Sequence, residues 1–107
     1  MASFDIYGFR NDTFDDDKIQ LENILSITLE EHESAYRGGR YFRYGNFEEE
    51  HFEFQKNIDL LGEEPAEPDF EQYPLLLYVN RTERSDFLCD LINKNLPCCS
   101  LLKHEVI

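Results

Sequence analysis

The histidines His32, His51 and His104, the cysteines Cys89, Cys98 and Cys99, and a large surplus of carboxylates are the groups best suited to acid–base, nucleophilic or metal chemistry. His51 and Glu53 lie two residues apart in a strand-like run, where positions i and i+2 share a face, so an acid–base pair is geometrically open to them. A solvated strand face accounts for the same pattern. The spacing of the histidines, cysteines and acids matches no zinc or calcium loop, so neither a metal nor another cofactor is expected. Cys89 reads as a small core residue on a helix. The odd cysteine count and the adjacency of Cys98 and Cys99 argue against a disulfide framework. The sequence contains no phosphate-binding glycine loop, no Cys-x-x-Cys, no His-Glu-x-x-His and no nucleophile elbow. A non-enzymatic role is the expectation, with a small enzyme built on His51, Glu53 or a tyrosine as the chemical alternative.

What stands out is charge: 23 Asp and Glu against 10 Lys and Arg, a net of -13 on 107 residues. Mass scaling gives on the order of 500 Å² of surface for each uncompensated negative charge. That density repels nucleic acid and anionic membranes and speeds the capture of cationic proteins, so a basic protein is the expected partner. The acids cluster, and the candidate partner-binding groups among them are Asp15, Asp16 and Asp17, then Glu48 and Glu50, then Glu63, Glu64, Glu67, Asp69 and Glu71. Between them, Tyr36-Arg37-Gly38-Gly39-Arg40-Tyr41-Phe42-Arg43-Tyr44 supplies the residue types enriched at interface hot spots. Tyr36, Tyr41, Arg43 and Tyr44 complete the candidate set. The competing readings are that the acids only keep the chain soluble and that Tyr36 or Tyr41 faces the core.

Elements must position these groups, and the sequence predicts one α+β domain over residues 1–107. Nine Phe and six Tyr supply enough apolar material for one core. Ser3 to Gly8 alternates as a strand, and Thr13 with Asp16 has the spacing of a capping box ahead of a helix to about Ser26, with Phe14, Leu21, Ile24 and Leu25 on one stripe. Thr28 to Asn57 reads as an antiparallel meander turned at Gly38-Gly39 and Gly45-Asn46. Two-residue turns there pair Tyr36 with Tyr41, Ser34 with Arg43, Arg43 with Glu48 and Tyr41 with Glu50; a bulge at Gly38-Gly39 is the alternative. Leu61 to Pro74, rich in proline and acid, reads as an extended loop. Leu75 to Val79 has the composition of a central buried strand. Ser85 or Thr82 caps a second helix to about Asn95, with Phe87, Leu88, Leu91 and Ile92 inward, and Ser100 to Ile107 forms a last strand. Residues 4–33 and 75–105 echo one another as strand, helix, strand, each closing on Leu-x-x-His-Glu. The expected architecture is a two-layer α/β sandwich, a mostly antiparallel sheet of five or six strands with two helices on one face.

The Glu33-Ser34-Ala35-Tyr36-Arg37-Gly38-Gly39-Arg40-Tyr41-Phe42-Arg43 string, followed by Gln55-Lys56-Asn57 and Tyr73-Pro74-Leu75-Leu76-Leu77-Tyr78-Val79-Asn80, resembles immunity proteins of bacterial polymorphic toxin systems, including contact-dependent growth inhibition. The resemblance implies a stoichiometric inhibitor that binds a cognate toxin, often a basic nuclease, and blocks its active site. It implies a monomer paired with its toxin, with no direct nucleic-acid or membrane binding. The start Met1-Ala2-Ser3-Phe4-Asp5 has no basic segment leading into an apolar run, and no stretch approaches the roughly 18 apolar residues of a membrane span, so a cytoplasmic location is expected. An acidic DNA mimic or regulatory protein-binding module is the alternative function.

Overall fold

Leu75, Leu76, Leu77 and Val79 are fully buried because their strand is covered on both faces and flanked on both sides. The computed structural model describes residues 2–106. It forms β1 (Ser3–Phe9), α1 (Phe14–Leu25), β2 (Glu30–Ser34), β3 (Gly39–Gly45), β4 (His51–Lys56), β5 (Leu75–Thr82), α2 (Ser85–Asn95) and β6 (Cys99–Val106), with 3-10 turns at Ala35–Arg37 and Pro68–Phe70. The strands make one six-stranded sheet in the order β2-β3-β4-β5-β1-β6, with every neighbouring pair antiparallel. It follows that β1 and β2 run parallel, as do β5 and β6. Each strand–helix–strand unit of the internal echo therefore ends on an outer strand of the sheet.

Alternation divides the strands between two faces. On one face Tyr7, Phe9, Phe42, Phe52, Phe54, Leu75, Leu77 and Val79 meet Phe14, Leu21 and Leu25 of α1 and Leu88 and Ile92 of α2 in the main core. Both helices lie on that face, as the sequence predicts. Phe14 seats α1 by tilted contacts with Phe42 and Phe54, ring centres 5.1 and 5.0 Å apart. Phe87 is a correction: it is 57% exposed, and only Leu88 and Ile92 of the predicted inner face are fully buried, with Leu91 half-buried.

The far face carries a smaller cluster in which Tyr73 packs on Ile6 and Leu76, joined by Phe70, Tyr78 and Leu102. The proline-rich segment is therefore a cover folded across the sheet. Asn57 holds it: its amide donates to the carbonyls of Phe70 (2.9 Å) and Tyr73 (3.0 Å), and its Oδ1 accepts from the Glu67 amide (2.9 Å). Three bonds from one half-buried side chain close a segment that its own composition leaves extended.

Neither predicted cap forms. Thr13 occupies the N-cap of α1 without a side-chain bond to the backbone, and its hydroxyl donates instead to Asp17 Oδ2 (3.1 Å). Arg84 stands at the N-cap of α2; Ser85 is already helical, and Thr82 Oγ1 accepts from the Arg84 amide (3.1 Å).

Asp17 is 3% exposed, so it cannot meet a partner as predicted. Burial pushes its carboxyl above the ordinary value, against the smaller downward effect of the Thr13 hydroxyl, with Asp16 adding to the rise. A carboxyl whose folded value lies above its unfolded one favours the fold when protonated, and that contribution is lost as pH rises through the folded value. Asp17→Asn should therefore melt higher than wild type at pH 7. The gain should close below about pH 4, where the unfolded carboxyl also protonates. Thermal melts of both proteins across pH 3 to 7 check this.

The hairpin registers also differ from expectation. β2 and β3 pair Ser34 with Gly39, His32 with Tyr41 and Glu30 with Arg43, so the connection is residues 35–38. Gly38 (φ 78°) and Gly39 (φ 88°) serve as the left-handed exit from the 3-10 turn, where a two-residue turn was predicted. β3 and β4 pair Arg43 with Glu53 and Gly45 with His51 across a five-residue loop, so Glu48 and Glu50 lie in that loop and face no residue of β3.

Candidate functional site

The β2–β3 connection and the start of the covering segment meet at one end of the sheet. The Leu60 amide donates to the Ala35 carbonyl (3.1 Å), and a Cβ on Gly38 would meet the Lys56 carbonyl at 3.0 Å. Here three large apolar side chains stand in solvent: Tyr36 (70% exposed), Leu60 (48%) and Leu61 (63%). Glu63 and Glu64, both exposed, follow directly, and Asp59 turns this segment by accepting the Leu61 amide (2.9 Å). An aromatic and two leucines beside exposed acids have the make-up of an interface centre with a charged rim.

The far face below Tyr36 is polar and closely filled. His51, Glu53 and Gln55 share it, as predicted, but they are buried (5%, 4% and 3% exposed) where a solvated face was the simpler expectation. Arg37 reaches in from the β2–β3 connection, ion-pairs with Glu53 and lies 5.2 Å over the Tyr41 ring. His32 stacks on Tyr41 (5.6 Å). Arg43 lies 3.7 Å from the centre of the Phe47 ring, and Phe47 meets His51 edge-on at 5.2 Å. The His51 Nδ1–H donates to the Glu49 carbonyl (2.8 Å). The predicted acid–base pair is thus divided: Glu53 is held by Arg37, and His51 by the β3–β4 loop. Tyr36, Arg37, Glu53, Gln55 and Tyr78 line a groove of about 400 Å³ on this face.

The other predicted residues separate into three groups. Asp15, Asp16, Glu48, Glu63, Glu64, Asp69 and Glu71 are exposed, as partner binding requires. Glu50 and Glu67 are engaged inside the molecule. Arg84 Nη2 and Nε donate to Glu50 (2.6 and 3.0 Å) and the Thr82 hydroxyl adds a third bond (2.7 Å), and the Arg84 bonds hold the Glu50 carboxyl below its usual range. Glu67 accepts from the Tyr78 hydroxyl (3.0 Å), whose ionisation burial and then Glu67 push up, so it stays a donor. Tyr41 and Arg43 are half-buried on the far face, while Tyr44 stacks on Phe52 (5.6 Å) on the helix side. The aromatic hairpin therefore offers its residues to different faces, and Tyr36 is its most exposed member among the described residues.

Sequence reasoning missed Leu60 and Leu61. The available signal was an apolar pair, Leu60-Leu61, at the entrance to an acidic, proline-rich segment with no strand or helix pattern to bury it. It also missed a buried Asp5 that ties three elements together: the Ser85 hydroxyl donates to Oδ2 (2.6 Å), and His104 Nδ1 contacts Oδ1 (2.5 Å). Serine, histidine and aspartate suggest a nucleophile relay. Such a relay needs the hydroxyl on one ring nitrogen and the acid on the other, whereas here both crowd Nδ1, with the serine 3.4 Å away and its proton given to Asp5. The arrangement links β1, β6 and the start of α2. Burial pushes the Cys99 thiol up, away from thiolate chemistry. Among the described residues, no group of three or more His, Cys, Asp or Glu could hold a metal ion, and no helix is long and apolar enough to cross a membrane.

No protein-family model matches this chain, nor does any curated protein or solved structure.

Proposed function

We propose that this protein is an immunity protein: a stoichiometric inhibitor that captures a cognate basic toxin of the nuclease class in the cytoplasm and covers its active site. The observation that carries the reading is the exposed Tyr36–Leu60–Leu61 group beside Glu63 and Glu64, on a chain of net charge -13. An apolar centre excludes water and sets the dissociation rate, while surrounding carboxylates steer a cationic partner and mimic the phosphates its cleft is built to hold. Asp16, Glu48, Asp69 and Glu71 extend the acidic field, while Asp15 is paired with Arg40 (2.6 Å).

The test is neutralisation of the adjacent gene's product, which this reading predicts to be a basic nuclease. An equimolar amount of the inhibitor should abolish its nucleic-acid cleavage, with a sharp break at one to one. Cleavage that persists at a tenfold excess would overturn the proposal.

A further inference from the structure

The two outer strands of the sheet are built differently. β6 carries an irregularity in its pairing with β1, between Ile6 and Tyr7, where Leu102 has no counterpart, and it presents Lys103 paired to Glu105 (2.8 Å). Bulges, charged side chains and short length are the usual means of protecting a sheet edge. β2 is short and charged, but its charge is of one sign and it carries no bulge. Its five residues Glu30-Glu31-His32-Glu33-Ser34 pair with β3 in unbroken register, and among the described residues nothing pairs with its other side. That side is a row of backbone N–H and C=O groups open to another strand.

The side chains specify which strand. Glu30, Glu31, His32 and Glu33 are all exposed and three are carboxylates; Glu31 is shared with Arg40 (3.4 Å), and a second copy of this chain would still set Glu30 and Glu33 against like charge. A strand with lysine or arginine at alternate positions sets its cations on one face, where the acids of β2 meet them: Glu31 and Glu33 on the helix side, or Glu30 on the far side. On the far face it would also find the His32–Tyr41 stack, a flat surface for an aliphatic stem. β2 runs through Ser34 into Ala35 and the exposed Tyr36, so a strand laid on this edge ends at the apolar group described above.

We infer that β2 is the docking edge for a basic β-strand of the partner, which joins the sheet as a seventh strand beside Glu30–Ser34. The partner's identity rests on the proposed function; the edge does not. Main-chain bonds supply affinity and the glutamates supply selectivity.

The probe is a cyclic β-hairpin peptide with lysine at alternate positions of one strand, since cyclisation removes most of the ordering cost. Titrated into the labelled protein, it should shift the 30–34 amides and raise their hydrogen-exchange protection. Methylating the outward amides of the lysine strand keeps the charge but removes its donors, and should weaken binding at least tenfold. Glu30→Gln with Glu33→Gln, at exposed positions and setting no like charge opposite Arg43 or Arg40, should also weaken it, with the melt measured alongside to show that the fold is kept. Equal binding by the methylated hairpin, or protection confined to residues 63–71, would overturn the inference. So would self-association of the protein through β2. Because no toxin is present, failure here leaves the inhibitor reading standing, and success here survives its failure.

Discussion

Gly8→Ala should lower the melting temperature by about 10 °C, as expected for an overpacking cost of about 1–3 kcal/mol in a domain of this size. Gly8 has no left-handed φ to protect, so backbone strain plays no part. The cause is contact. A Cβ at this position would lie 2.6 Å from Leu102 Cδ1 and from Tyr73 Cγ, well inside van der Waals distance. Tyr73 belongs to the covering segment and Leu102 to β6, so one methyl group presses on both at once. Limited proteolysis should locate the damage, with cleavage between residues 57 and 74 appearing before global unfolding. A Gly8→Ala, Tyr73→Ala double variant should show strong non-additivity, because the second change removes what the first one strikes. A wild-type melt for Gly8→Ala would mean that the segment does not lie on β1.

Tyr36→Ala should weaken partner binding by about 30-fold, or about 2 kcal/mol, through faster dissociation and with no change in the melt. The unchanged melt follows from exposure: at 70% exposed, the ring supports little of the fold. Neutralising Glu63, Glu64, Asp69 or Glu71 one at a time should cost well under about 1 kcal/mol and act on association, because each is exposed and screened. Tyr41 is a poor comparison, since removing it strips Arg37 and His32 of their platform and loosens the sheet. Kinetics by surface plasmon resonance separate the two rate effects. Dissociation unchanged in Tyr36→Ala would move the interface elsewhere.

Local pattern carried the elements and failed at the connections between them. The apolar run of β5 and the stripe of α1 record burial directly, whereas the alternation of β1 marked a strand and not its faces: Tyr7 and Phe9 enter the main core, Ile6 joins the far-face cluster and Asp5 is buried. Gly38-Gly39 and Gly45-Asn46 mark where left-handed backbone occurs and leave open how many residues the turn contains. The true loops are four and five residues long. The four-residue register shift at Gly38-Gly39 kept the paired side chains of β2 and β3 on their predicted faces but moved Tyr36 from the strand into the 3-10 turn, whereas the five-residue shift at Gly45-Asn46 placed Arg43 opposite Glu53 instead of Glu48. His51, Glu53 and Gln55 looked solvated for a related reason. Arg37 reaches Glu53 from the β2–β3 connection and Phe47 reaches His51 from the β3–β4 loop, and strand periodicity carries no record of either. Asp17 sat in an acidic first turn that the helix dipole favours, yet the roughly 100° that a helix turns per residue carries it off the exposed side of Asp15 and Asp16 and onto the buried side with Phe14 and Leu21.

The most direct measurement of the central claim is the association rate with the proposed partner, the adjacent gene's product, followed by stopped-flow from about 10 to about 150 mM salt, across which the screening length falls from about 30 to about 8 Å. A steered capture should slow at least tenfold over that range while dissociation changes much less. An association rate indifferent to salt would contradict the account and leave the acidic surface with no role in recognition.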